Sequence, residues 1–159
     1  MDSKRVLLAG LVASMVMGMW EMLLEQFVGG NGFWSPVVYI TATILRDYQN
    51  VATPVPFALV PVVLGLMGHM MNSVILGFIF AGVAPKITQS TNGLIGLGLA
   101  YGVMIMLVMW LVVLPVANPV MLRLDFVIFL LAHMMWGIGL GVVLGRRPSP
   151  QASLRESIA

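Results

Sequence analysis

Cysteine is absent from the 159-residue chain, and Asp, Glu, Lys and Arg together supply only 9% of it. The first absence excludes disulfides, thiolate catalysis and cysteine-held iron–sulfur clusters. The second places the chain outside the composition of soluble domains, since 60% of its residues are hydrophobic. A formal net charge of +2, spread over scattered Lys and Arg residues, excludes a nucleic-acid footprint. No nucleophile motif, phosphate loop or zinc-helix signature occurs, so no catalytic residue is assigned and no enzyme is expected. What remains is apolar sequence in long runs, which a bilayer about 30 Å thick accepts around the whole circumference of a helix.

The runs predict an all-α bundle of four transmembrane helices in one domain, residues 1–147, with spans at about 6–28, 57–83, 93–116 and 120–145. The first run is too long for the roughly 7–15-residue core of a signal peptide, so it is read as a span. Ser35-Pro36, an N-cap followed by proline, opens a short interfacial helix at about 36–48 between spans one and two, with Trp34, Tyr39 and Tyr48 at headgroup depth. The second span is expected to stop before Pro85-Lys86, and the polar residues 148–159 to form a flexible cytoplasmic tail. Lys4, Arg5, Lys86, Arg146, Arg147 and Arg155 fall on one side of this topology, and only Arg46 and Arg123 on the other. Both termini are therefore expected in the cytoplasm.

The two histidines of the chain stand in matching runs, Leu66-Met67-Gly68-His69-Met70-Met71 and Leu130-Leu131-Ala132-His133-Met134-Met135. Met19-Trp20 and Met109-Trp110 mark a second correspondence, so the bundle reads as a tandem repeat of a helix pair. Small residues at four-residue spacing mark the faces that meet in lipid: Gly10, Ser14 and Gly18; Ser73, Gly77 and Ala81; Gly98 and Gly102; Gly137, Gly141 and Gly145. His69 and His133 continue two of these ladders and Glu21 and Glu25 a third, which turns all four toward the interior. Ionisable groups at membrane depth cost several kcal/mol unless paired or wet, so they need partners.

Three readings satisfy that need. In one, the imidazoles stay neutral and bond Ser73, Asn72 or a backbone carbonyl, and the polar interior (Glu21, Glu25, Asn72, Ser73) only fixes the packing of a non-catalytic subunit or scaffold in a larger membrane complex, such as one that transfers electrons. In the second, His69 and His133 face each other across the bundle diagonal, roughly 13–14 Å between helix axes, and hold a b-type haem as axial ligands. In the third, His69 and His133 with Met106, Met109 and Met17 handle a soft metal such as copper(I), or Glu21 and the histidines relay protons. Glu25, Gln26 and Asp125 are expected to meet water, Arg46 or Arg123 near the outer surface.

Gly32-Phe33-Trp34-Ser35-Pro36, the step Leu114-Pro115-Val116-Ala117-Asn118-Pro119 and the two histidine-bearing spans together resemble a group of small prokaryotic four-span membrane proteins. The resemblance covers most of the chain and implies the four-span fold and a multi-pass place in a prokaryotic cytoplasmic membrane. It carries over no activity. The expected partners are the lipid bilayer and other membrane subunits, with no nucleic acid.

Overall fold

The structure, a computed structural model, describes residues 2–146; the expected tail at 148–159 and the boundary at 147 lie outside the described residues. Among these residues all regular structure is helical. Four helical segments, Ser3–Gly29, Leu59–Ile87, Thr91–Ala117 and Phe126–Gly145, are long and apolar enough to cross a membrane. Large apolar side chains such as Met15, Phe27, Ile79, Leu111 and Val116 cover the outside, a surface that water penalises and acyl chains accept.

Helix α1 (Ser3–Leu24) is capped by Asp2 and widens into a π turn over Glu25–Gly29, which ends at Gly30 with φ of 77°. A short helix α2 (Ser35–Thr41) and a 3₁₀ turn at Arg46–Asn50 lead to α3 (Leu59–Ile87). The second half repeats this order of elements. Helix α4 (Thr91–Val108) widens into a π turn at Met109–Val113, then come α5 (Leu114–Ala117), a 3₁₀ turn at Pro119–Arg123 and α6 (Phe126–Gly145). Pro115 explains the second π turn: its missing N–H and its ring disrupt the ladder one turn back, and the wider turn accommodates both.

Two boundaries correct the sequence expectation. Pro85 lies inside α3 instead of ending it; so near the helix end, the carbonyl it deprives can turn to water. The last span starts at Phe126 and not near Val120, because residues 119–123 form the 3₁₀ turn and Asp125 caps the helix, accepting from the amides of Val127 (2.8 Å) and Ile128 (3.0 Å).

Helix α2 is shorter than the expected 36–48 helix and is sealed within the protein: Val37, Val38, Tyr39 and Thr41 are all buried. It fits there because Gly65 of α3 leaves room for the Val37 carbonyl, which any Cβ would strike, and because the Thr41 hydroxyl donates to the Pro61 carbonyl. Tyr39, expected at headgroup depth, is 0% exposed. Asn118 ties α2 to the second half, donating to the Tyr39 carbonyl (2.8 Å) and the Thr43 hydroxyl (2.9 Å).

Helix α1 packs on α3 and α6, and α6 packs on α4, while α3 and α4 scarcely touch. Helices α3 and α6 lie across the diagonal. Glycines of the predicted ladders sit at these contacts: Gly10 against the backbone of Val74, Gly98 and Gly137 against each other's carbonyls, and Gly102 against the carbonyl of His133. The result is a closed wall on three sides and a gap between α3 and α4.

Candidate binding cavity

That gap leads into a cavity of about 410 Å³ inside the bundle. Trp136 forms its floor, backed by an aromatic cluster outside the lining. Tyr101 lies between Phe80 and Trp136 with centroids 5.4 and 5.7 Å away, and donates to the Leu76 carbonyl at 3.1 Å, one of the few links between α3 and α4. Trp136 Nε1 donates to Ser73 Oγ (2.6 Å), which in turn donates to the Gly10 carbonyl (2.7 Å). Thr43, Ala117 and Asn118 cover the opposite end. Between floor and roof the walls are Met17, Leu76, Ile105, Met109, Met121 and Phe129, with the side chains of Glu21, His69, Asn72 and His133 among them. Asn72 and Ile75 line the cavity and are also exposed, so it opens sideways past α3.

Both histidines are held through backbone carbonyls, in different ways. His69 reaches across to α1, with Nε2 3.0 Å from the Ser14 carbonyl, in space left by Gly18. His133 is bonded within its own helix, with Nδ1 2.8 Å from the Phe129 carbonyl and its ring on the Phe129 ring at 4.3 Å. A carbonyl only accepts, so each of these ring nitrogens carries the proton. In the neutral imidazole the other nitrogen, Nδ1 of His69 and Nε2 of His133, is left with a lone pair.

Glu21 is the outlier. It is 3% exposed, lines the cavity, and its Oε1 is buried with no hydrogen-bond partner among the described residues. The side chains of Glu21, His69 and His133, each with acceptor capacity left over, thus stand in a largely apolar wall. Such a lining suits a guest that brings hydrogen-bond donors on an apolar body.

The remaining sequence candidates divide. Met109 lines the cavity, whereas Met106 is fully buried in the cluster formed with Met22, Leu114 and Phe129. Ser73 serves the Trp136 link. Glu25 is not at the water boundary: it is 0% exposed, and its two oxygens accept from Asn31 Nδ2 and the Asp125 amide, both at 2.8 Å. It joins the end of α1, the following loop and the start of α6. Gln26 accepts from the Phe33 amide (2.8 Å). Sequence reasoning missed Trp136, Asn118 and Gly65. Gly65 stood in no repeating ladder that could have marked it.

As for bound groups, an axial imidazole ordinarily meets haem iron through Nε2, and the Nε2 of His69 is committed to Ser14. Among the described residues no three His, Asp or Glu side chains gather into a metal site. No family model, curated protein or solved structure matches the chain. The fold and cavity define it by class alone: an all-helical bundle with four helices able to cross a membrane.

Proposed function

We propose that the chain is a small, non-catalytic component of a prokaryotic cytoplasmic membrane assembly, whose bundle holds a lipid-soluble molecule with an apolar body and hydrogen-bond donors. The observation that carries this reading is Glu21, whose Oε1 is buried without a hydrogen-bond partner among the described residues and whose side chain lines a cavity that opens sideways between α3 and α4. A carboxyl kept at that depth without a protein partner costs several kcal/mol, and a donor on a guest removes the cost. The lone pairs left on His69 and His133 add two further acceptors, and the side opening gives a route from the bilayer that crosses no water.

Both termini are assigned to the cytoplasm by the distribution of Lys and Arg. The matching order of helix, π turn, short helix, 3₁₀ turn and helix in the two halves supports descent from a duplicated helix pair. Helix α2 with the 3₁₀ turn after it forms the outward cap of the bundle.

The test is to purify the full chain from its membrane and identify apolar molecules that accompany it by mass spectrometry, beside Glu21→Leu. Hydroxyl- or amine-bearing species near one per wild-type chain and absent from a folded Glu21→Leu are expected. Identical extracts from the two proteins would refute the reading. A haem b absorption spectrum, or one metal per chain by elemental analysis, would replace the proposed guest with that group.

A further inference from the structure

At the end of the bundle opposite Glu21, a second cavity of about 470 Å³ lies where α1, α3 and α6 meet the turn into α4, and nothing in the proposed function uses it. Arg5, Lys86 and Arg146 line it with Gln89, and no acidic side chain is among its lining residues. Its remaining surface is apolar, from Ala81, Pro85, Leu94 and Leu144. Arg5 is already oriented: its Nε and Nη2 donate to the Val143 carbonyl at 3.1 and 2.9 Å, so the guanidinium plane is fixed with a further N–H edge to spare. Lys86 and Arg146 are exposed at the rim.

We infer that this cavity binds the phosphate headgroup of an anionic phospholipid. Three cations converge on one opening with no carboxylate among its described lining residues, which is the complement of a phosphodiester. The source of the phosphate is a lipid, because α3, whose Gly82 and Lys86 line the cavity, also carries the exposed apolar side chains Ile79, Val83 and Ile87, along which acyl chains would lie. Basic residues at the ends of spans also serve as topology signals, but that role needs no shared pocket and no fixed guanidinium.

The test uses the full chain, delipidated in detergent and titrated with phosphatidylglycerol or with phosphatidylcholine of the same acyl chains, read by native mass spectrometry. Lys86→Gln and Arg146→Gln leave the Arg5 link to α6 in place, so both variants keep the fold. Tighter retention of phosphatidylglycerol is expected, weakened about fivefold by each substitution. Equal retention of the two lipids, or a double variant that keeps the full preference, overturns the inference. Displacement of phosphatidylglycerol by excess inorganic phosphate also overturns it and assigns the pocket to soluble phosphate esters.

Discussion

The pair α1–α3 and the pair α4–α6 occupy equivalent places in the two halves, yet they are held together differently. In the second pair the backbones themselves touch: a Cβ at Gly98, Gly102 or Gly137 would strike a carbonyl of the facing helix. In the first pair Gly10 alone is pressed so against backbone, Gly77 makes ordinary contact, and side chains complete the seam through His69 on Ser14 and Ser73 on Gly10. Close backbone approach gives dispersion along a whole seam, while polar bonds give a few fixed points and let the helices diverge between them. The cavity lies where the polar residues of α3 face the bundle, on the side of the looser seam.

The largest expected effect comes from attacking the tighter seam. Gly137→Leu should lower stability by about 3 kcal/mol or more, as overpacking against backbone cannot be relieved by a rotamer change. Gly77→Ala, at a glycine of the looser seam with only ordinary contacts, should stay under about 1 kcal/mol. Chemical denaturation in micelles measures both, and equal losses would erase the distinction between the pairs.

Next in size is Ser73→Ala, which orphans the buried Trp136 indole N–H and removes the cross-helix bond to the Gly10 carbonyl, and should cost about 1–3 kcal/mol. The same denaturation assay, with Trp136 fluorescence as a second probe, reports the loss. An unshifted midpoint and unchanged emission would mean that the polar seam contributes nothing.

The smallest effect concerns helix starts. Helix α6 begins with the Asp125 cap, whereas α3 begins at Ala58 with no side-chain cap. Asp125→Ala should therefore cost about 1 kcal/mol, and Ala58→Asp should recover a few tenths, because its backbone is already extended as a cap requires. If Ala58→Asp proves the more damaging of the two, the equivalence of the two helix starts fails.

Much of this was readable beforehand. Long apolar runs announced the spans, because in lipid every backbone group must be satisfied within the helix and only side-chain apolarity selects the segment. The four-residue ladders announced Gly10, Gly98 and Gly137 as contacts, since helical geometry alone puts such residues on one face. Glu25 escaped because its partners, Asn31 and the Asp125 amide, come from a loop and from a helix start far along the chain. Gly65 escaped for a similar reason, being needed only where α2 folds inward against α3.

The sequence by itself determined that four helical segments long enough to span form, which faces they share and that two imidazoles and two carboxyls turn inward, for these follow from local periodicity and from the cost of polar groups in lipid. Only the tertiary structure decided that each imidazole spends one nitrogen on a carbonyl, that Glu21 Oε1 finds no partner among the described residues and that α3 and α4 part to leave a cavity. Those outcomes depend on how closely separate backbones approach one another, a distance set by the packing of the whole bundle and written in no single segment.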